Sequence, residues 1–135
     1  MFDRKLLLDN ALTTMQCAYA PYSNFFVGAA LLCKNGNIYT GCNIENSSYS
    51  ATVCAERVAF SNAISQGEKE FIAIAIVGGK DRIINTFCSP CGICRQVMSE
   101  FCNKDFKILL YNGKEINEYC LNELFPLSFG RDNLC

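Results

Sequence analysis

An unbroken run of seven apolar residues, Phe71 to Val77, limits the fold of this chain more than any other feature of the sequence. A strand without a polar position must be buried on both faces, as in a sheet that carries helices on each side. The run is too short to cross a bilayer as a helix. Gly78-Gly79 follows it, and we expect the strand to end there. The run therefore predicts an α/β fold with a covered sheet.

Helical and strand-like patterns alternate along the rest of the chain. Apolar residues recur at helical spacing from Asp3 to Ala18, and Asn35-Gly36 is a hairpin turn signal. The other predicted elements are strands at 26–33 and 38–42, helices at 54–64, at 92–101 and from 121, and strand-like segments at 106–111 and 115–119. We predict a single domain over residues 1–135, a three-layer α/β/α sandwich with a five-stranded mixed sheet.

The charge balance argues against a nucleic-acid partner. With 12 basic and 13 acidic residues, the formal net charge is −1, which leaves no excess of positive charge to bind phosphates along a strand. Hydrophobic residues make up 50% of the chain, and this high fraction indicates apolar surface covered by other subunits. We therefore expect a small-molecule substrate and an oligomer.

The 10 cysteines are expected to be metal ligands or small buried residues rather than disulfide partners. Residues 1–10 carry charges within an apolar pattern and lack the cleavage site of a signal peptide. No segment is long and apolar enough to span a bilayer. We therefore expect a cytoplasmic protein with no membrane partner, in a compartment where thiols stay reduced.

Two cysteine motifs suggest chemistry: Cys54 to Glu56, with the sequence CAE, and Cys91 to Cys94, with the sequence CGIC. Each falls where a helix is predicted to begin, and free backbone N–H groups and the positive end of the helix dipole stabilise thiolates there. Three thiolates leave a tetrahedral zinc ion with one open position, as in catalytic rather than structural sites. Because the chain has no histidine, Glu56 is the best candidate for the general acid and base.

Arg57, next to Glu56, is expected to offset charge at the metal. A zinc dication with three thiolates carries a net negative charge, which makes a bound water less acidic than in a site with neutral ligands. Hydrogen bonds from the guanidinium can withdraw part of this charge from the sulfurs. We expect Arg57→Ala to preserve the fold but to weaken zinc binding or turnover.

Three other interpretations of the cysteines remain open at this point. A closed structural zinc site would add Cys88 as a fourth ligand. An iron–sulfur cluster would require a further cysteine where Met98 stands. The pair Cys91 and Cys94 at a helix start also suits a thiol–disulfide oxidoreductase, although this leaves Cys54 unexplained. Measurements of bound zinc and of thiol reactivity would separate these alternatives.

Further segments, spread over nearly the whole chain, accompany the two motifs. They are APYS at 20–23, FFVGAA at 25–30, GCNIEN at 41–46 with Tyr49, and LFP at 124–126. Together with the motifs they resemble the zinc-dependent cytidine deaminases in their short, three-cysteine form. The resemblance implies hydrolytic deamination of cytidine and deoxycytidine to uridine and deoxyuridine plus ammonia, a reaction of pyrimidine salvage.

The resemblance also implies a mechanism. One zinc ion per subunit is held by Cys54, Cys91 and Cys94, and zinc-bound hydroxide attacks C4 of the cytosine ring. Glu56 acts as the proton shuttle: it deprotonates the water and then protonates N3 and the leaving amine.

Roles for residues outside the motifs follow from the same resemblance. Asn43 and Glu45 match positions that bind the ribose hydroxyls. Phe25 matches an aromatic residue that lines the nucleoside pocket. The backbone around Ala55 and Ser89 would contact the base.

The quaternary structure implied by the resemblance is a homotetramer with active sites at subunit boundaries. Phe129 matches a C-terminal aromatic residue that a neighbouring subunit supplies. The nearest alternative is a deaminase of a cytosine-containing antibiotic such as blasticidin S, against which the ribose-type segment at 43–46 argues. A nucleic-acid cytosine editor fits less well, because such enzymes use histidine as a ligand and need a basic surface.

Overall fold

The structure, a computed structural model, describes residues 1–135. Its elements in chain order are α1 (Arg4–Met15), β1 (Phe25–Cys33), β2 (Ile38–Cys42), α2 (Ala55–Ser65), β3 (Phe71–Lys80), α3 (Gly92–Phe101), β4 (Lys107–Tyr111), β5 (Ile116–Cys120), α4 (Leu121–Leu124) and α5 (Arg131–Leu134). No helix combines the length and the apolar character that a membrane crossing requires.

The five strands form one sheet in the order β2-β1-β3-β4-β5. β3 and β4 run parallel, and the other neighbouring strands are antiparallel. The parallel pair aligns Ile74 with Ile108, whereas the antiparallel pair of β1 and β3 aligns Ala29 with Ile76. The predicted five-stranded mixed sheet is confirmed.

Helices cover both faces of this sheet, as the apolar run in β3 requires. The buried side of α1 packs on one face, in a cluster that contains Ala75 and Val77. On the other face, α2 and Met98 of α3 pack with Ile74 and Ile76. Because successive side chains of a strand point to opposite faces, β3 contributes to both cores. The predicted three-layer arrangement is therefore confirmed.

Two glycines let helices approach the sheet closely. A Cβ on Gly28 of β1 would lie 2.1 Å from the carbonyl oxygen of Ala11 in α1. A Cβ on Gly41 of β2 would lie 2.4 Å from the backbone nitrogen of Ala59 in α2. Main-chain atoms cannot move aside as the end of a flexible side chain can. The position of α2, whose N-cap is Cys54, is therefore set by a contact between two backbones.

The structure extends β3 beyond its predicted end. The strand continues through Gly78 and Gly79 to Lys80, and Gly79 pairs with Phe26 of β1. A Cβ on Gly79 would lie 1.9 Å from the carbonyl oxygen of Ile83. The expectation that the glycines end the strand is wrong, because glycine within a strand also marks the close approach of another backbone.

The ends of the chain differ in detail from their predictions. The short helix predicted from Leu121 is present as α4, and α5 follows as a second helical turn that the pattern does not predict. A residue before proline avoids the helical conformation, so Pro126 ends α4 before it can lengthen. At the other end, α1 stops at Met15 rather than Ala18, and the Tyr19 N–H then donates to the Asn43 carbonyl.

Candidate active site

Three cysteine thiols meet at the starts of two helices. Cys54 is the N-cap of α2, Cys91 is the N-cap of α3, and Cys94 lies in the first turn of α3. Their sulfurs all lie within 4.8 Å of one another, and those of Cys54 and Cys91 are 3.6 Å apart. The sheet brings together residues that are far apart along the chain, so both helix starts point at one place.

The geometry of this cluster fits a zinc ion. A tetrahedral zinc with Zn–S bonds of about 2.3 Å holds its sulfurs about 3.8 Å apart, close to the separation of Cys54 and Cys91. The N–H of Cys94 donates to the sulfur of Cys91 at 3.4 Å, and both helix dipoles have their positive ends here. Such surroundings favour the thiolates that a metal needs.

Cys88 is not part of the cluster of mutually close ligand atoms. Its sulfur lies against the sheet, where a Cβ on Gly78 would be 2.9 Å away. Burial raises the pKa of the Cys88 thiol to about 12, so the group stays neutral. This placement argues against the closed four-cysteine site and leaves room for an open fourth position.

Arg57 is directed at the thiols. A hydrogen bond from the Cys94 thiol lowers the pKa of Cys54 to about 5, and the guanidinium of Arg57 acts in the same direction. Nη2 of Arg57 lies 3.6 Å from the sulfur of Cys54 and 3.5 Å from the carbonyl oxygen of Thr52. Nε of Arg57 is buried without a hydrogen-bond partner in the chain. The thiol cluster therefore borders on a half-buried cation, which suits a site that gathers negative charge.

Glu56 is a buried carboxylate beside the thiols. It belongs to the first turn of α2, and only 4% of its surface is exposed. Burial raises the pKa of Glu56 to about 7, because a charged carboxylate is poorly solvated in this position. A carboxyl group is rarely buried this far without a strong ion-pair partner unless function requires it.

A cavity of about 180 Å³ opens at the thiols and the carboxylate. Its lining comes from β1, from the segment after β2, from the start of α2 and from the loop before α3. The residues are Val27, Asn43, Thr52, Val53, Cys54, Ala55, Glu56, Cys88, Ser89 and Cys91. Of the residues expected to contact substrate, Asn43, Ala55 and Ser89 therefore lie at this cavity.

Asn43 and Glu45 are both held by backbone hydrogen bonds. The Asn43 side chain accepts from the Val27 N–H at 2.9 Å and donates to the Phe25 carbonyl at 2.8 Å. Oε1 of Glu45 accepts from the N–H groups of Tyr22 and Ser23 at 2.9 and 3.1 Å.

Each of these two side chains keeps hydrogen-bonding capacity for a ligand. An amide has a second N–H, and a carboxylate has further lone pairs. A second cavity, of about 260 Å³, lies at Glu45 and shares Thr52 with the first.

The two aromatic residues expected at the site are placed differently. Phe25 does not line the thiol cavity, but its ring lies 3.1 Å from the point that a Cβ on Gly78 would occupy, beside Cys88. Phe129 is 59% exposed and also does not line this cavity, while its carbonyl accepts from Nε2 of Gln96 at 2.9 Å. The site within one chain is therefore built without either ring in its wall.

Sequence reasoning assigned no role to Arg95, although this residue directly follows Cys94. Its guanidinium donates to the carbonyl of Pro90 and to the hydroxyl of Ser89, in the loop that carries Cys91. The only feature of the sequence that could have indicated a role is the position of this arginine next to the motif. A main-chain oxygen that accepts a hydrogen bond cannot be recognised from residue type, because every residue has one.

Comparisons with known proteins agree with this geometry. Residues 1–110 match the family described as "Cytidine and deoxycytidylate deaminase zinc-binding region". A cytidine deaminase from Sporosarcina psychrophila is 46% identical over 133 residues, which are 98% of this chain and 95% of that protein. The crystal structure of a cytidine deaminase from Burkholderia pseudomallei, 39% identical, superposes with a TM-score of 0.87 over 95% of this chain and 100% of that chain.

A blasticidin-S deaminase from Bacillus cereus is similar as well, with 37% identity over 111 residues, 78% of each chain. The matched family is described by its zinc-binding region, the relatives and the solved structure named above are deaminases, and none of them is described as an iron–sulfur protein or a thiol–disulfide oxidoreductase. The three clustered thiols, the matched family and the nearly full-length relatives agree, and the chain belongs to the zinc-binding cytidine and deoxycytidylate deaminase family.

Proposed function

We propose that this chain catalyses the hydrolytic deamination of cytidine and of deoxycytidine, which releases ammonia and yields uridine or deoxyuridine for pyrimidine salvage. The observation that carries the proposal is the buried carboxylate of Glu56 in a cavity lined also by Cys54 and Cys91. A purely structural zinc site has no use for a carboxylate at its side. The named activity of the relatives supports a cytosine nucleoside as the substrate.

One zinc ion per subunit would be held by Cys54, Cys91 and Cys94. When bound, it supplies Lewis acidity, which makes a water molecule acidic enough to act as a nucleophile near neutral pH. Arg57 donates to the sulfur of Cys54 and so withdraws part of the thiolate charge that would oppose this effect.

Glu56 carries the protons of the reaction. The water oxygen forms a bond to C4 of the ring, and the bond between C4 and the amino nitrogen breaks. Glu56 takes one proton from the water and delivers it to N3, and then takes the proton of the new C4 hydroxyl and delivers it to the departing amino group, which leaves as ammonia. Because the carboxylate is buried, bulk water does not compete for these transfers.

The nucleoside is held from both of its ends. The backbone around Ala55 and Ser89, in the wall of the thiol cavity, contacts the base. Asn43 and Glu45 bind the ribose hydroxyls with the hydrogen-bonding capacity that their backbone contacts leave free. Since each side chain is fixed by two hydrogen bonds or more, little conformational entropy is lost on binding.

The assembly we propose is a homotetramer whose active sites lie at subunit boundaries. Phe25 and Phe129 are exposed, at 36% and 59%, and would complete the pocket walls within the assembly, with Phe129 entering a neighbour's site. Covering these rings with another chain would remove their apolar surface from water. All 10 cysteines are free thiols, which suits a reducing, cytoplasmic location.

The experiment is a substrate panel with zinc-loaded protein. Purified enzyme is incubated with cytidine, deoxycytidine or blasticidin S, and ammonia and the deaminated product are measured. Glu56→Gln controls for contaminating activity, and Glu115→Gln controls for the loss of an acidic group, because Glu115 is exposed. We expect turnover of both nucleosides by wild type and by Glu115→Gln, with none by Glu56→Gln.

The assay with blasticidin S distinguishes the two candidate substrates, a cytosine nucleoside and the antibiotic. The similarity to a blasticidin-S deaminase makes this antibiotic the second candidate. Turnover of blasticidin S with neither nucleoside deaminated would replace the proposed substrate. A zinc-loaded protein that leaves all three compounds unchanged would refute deamination altogether.

The role of Phe129 can be tested by mixing subunits. Glu56→Gln and Phe129→Ala are each expected to be nearly inactive as pure proteins. If Phe129 serves a neighbour's site, tetramers assembled from both variants by co-expression contain some sites with an intact Glu56 and an intact Phe129. Recovery of activity in the mixture is expected, and a mixture no more active than its components would contradict a shared site.

A further inference from the structure

Arg95, in the first turn of α3, donates hydrogen bonds to three oxygens on two segments of the chain. Nε donates to the carbonyl of Pro90 at 2.7 Å, and Nη2 donates to Oγ of Ser89 at 2.6 Å. Nη1 donates to the carbonyl of Leu124. Two of the acceptors lie in the loop before α3 and the third lies at the end of α4, so every guanidinium nitrogen is engaged.

The acceptors are two carbonyls and a hydroxyl, so charge pairing does not explain this arrangement. Pro90 is fully buried, and its carbonyl would lose this partner without Arg95, which is costly for a buried acceptor. The carbonyl of Leu124 belongs to the last residue of α4 and has no partner within that helix. A planar guanidinium can address acceptors in several directions at once, whereas a lysine ammonium on its flexible stem is a point charge.

The loop that Arg95 holds is part of the site. Ser89 and Cys91, on either side of Pro90, both line the thiol cavity. No other segment approaches the main chain closely at Gly92, because a Cβ there would have no atom within 4 Å. On its helix side Cys91 is held by the main-chain N–H groups of Cys94 and Arg95, and on its loop side the side chain of Arg95 donates to the two residues that precede it.

We propose that Arg95 is a positioning residue, which holds the loop from Ser89 to Cys91 so that the sulfur of Cys91 meets that of Cys54, and which ties this loop to the C-terminal segment. Arg95 contacts none of the reacting atoms and acts through the loop. Its effect on Cys91 depends only on the zinc site, whereas its effect on the base through Ser89 rests on the proposed function.

The first test measures zinc release. Zinc-loaded Arg95→Ala and Arg95→Lys are mixed with a colorimetric chelator, and their release rates and melting temperatures are compared with wild type. The matched control is Arg4→Ala, which removes a half-exposed guanidinium that pairs with Glu118 at 3.6 Å. We expect release to be about 10- to 100-fold faster in both Arg95 variants, which is the usual effect of losing a group that orients a metal ligand, and unchanged in Arg4→Ala.

The lysine variant separates position from charge. Lysine keeps the positive charge but cannot reach three acceptors, so it is not expected to restore slow release. Ser89→Ala removes one acceptor and leaves the bonds to Pro90 and Leu124, and its release rate should lie between those of wild type and Arg95→Ala. At saturating zinc, KM for cytidine is expected to rise about tenfold in Arg95→Lys, by more than kcat falls.

Two results would overturn the proposal. If both Arg95 variants melt at a lower temperature but release zinc at the wild-type rate, Arg95 merely stabilises the fold. If Arg95→Ala does not fold, the other two variants decide: the proposal is refuted when Arg95→Lys and Ser89→Ala both release zinc at the wild-type rate. Faster zinc release in a protein whose wild type deaminates no nucleoside would refute the proposed function while supporting the role of Arg95 toward Cys91.

Discussion

The two helix starts that meet at the thiol cluster are held in place by different means. α2 lies close against the sheet, where a Cβ on Gly41 would come within 2.4 Å of its backbone. Five of its residues are buried: Ala55, Glu56, Ala59, Phe60 and Ala63. α3 buries only Cys94 and Met98, and a Cβ on Gly92 would meet nothing within 4 Å. Backbone packing fixes the first helix, and side-chain contacts hold the second.

The two helices also carry different functional residues of the site. α2 carries Cys54 and Glu56, and as the proposed proton carrier Glu56 must keep its place to within a fraction of an ångström. α3 carries Cys94, with Cys91 at its N-cap, and both thiols belong to the cluster that can hold a zinc ion. Metal binding itself brings the thiols into position. We therefore expect α3, which carries only thiols of the cluster, to tolerate a looser attachment than α2, which also carries Glu56.

The two arginines near the site differ in the same way. Arg57, on α2, lies 3.6 Å from the sulfur of Cys54, and its proposed role is to offset charge on that sulfur. Arg95, on α3, donates to oxygens of the loop and of α4, and its proposed role is to position Cys91. In this proposal the arginine of α2 acts by its charge, and the arginine of α3 acts by holding the loop in place.

The largest effect is expected from removing zinc. Treatment with a strong chelator should reduce turnover below detection, and added zinc should restore it. Because α3 depends on side-chain contacts, amide hydrogen exchange in its first turn should rise more than exchange in the first turn of α2. Equal increases in the two turns, measured by mass spectrometry, would show that the two helices are held equally firmly.

Shortening the proton carrier is expected to have the next largest effect. Glu56→Asp withdraws the carboxylate by one methylene, and α2 cannot shift to compensate because of its contact at Gly41. A misplacement of about 1 Å can cost about 10²-fold in rate, so kcat should fall by about that factor while bound zinc stays at the wild-type level. Glu115→Asp is the control. Near-normal kcat in Glu56→Asp would show that α2 is less rigid than its packing indicates.

Loss of Arg57 is expected to act on the metal rather than on the fold. Arg57→Ala should weaken zinc affinity by about 10- to 100-fold, because the charge on the sulfur of Cys54 is no longer offset. Arg57→Lys keeps a positive charge near the sulfur and should lose less. Chelator competition gives both affinities. Equal zinc affinities in wild type and Arg57→Ala would remove the electrostatic role.

A pair of glycine substitutions gives the smallest effect and compares the helices directly. Gly41→Ala forces a Cβ against the backbone of α2 and should lower the free energy of unfolding by about 1–3 kcal/mol. Gly92→Ala meets no neighbour, so it should leave stability unchanged or raise it by up to about 1 kcal/mol. Urea titrations of both variants measure the difference. Similar losses in the two would show that α3 is as closely packed as α2.

Elements with strong local signals could be predicted closely. β2 and α3 have the boundaries predicted from their patterns, because a hairpin turn signal and a helix start are short-range features. The end of β3 could not be predicted, since Gly78 and Gly79 are required by a loop that folds back over the strand. The same limit applies to the site: the thiols and Glu56 were apparent in the motifs, and the contacts of Arg95 were not.

The sequence by itself determined the chemistry available to this protein: three thiols and one carboxylate at two helix starts, with no histidine to take their place. These are properties of residue type and local spacing. Only the tertiary structure decided that Cys54 stands 3.6 Å from the sulfur of Cys91, that Glu56 is buried beside them, and that one arginine ties the ligand loop to the end of α4. Such contacts join distant segments, often through main-chain oxygens that every residue carries, so they cannot be predicted from a pattern in the sequence.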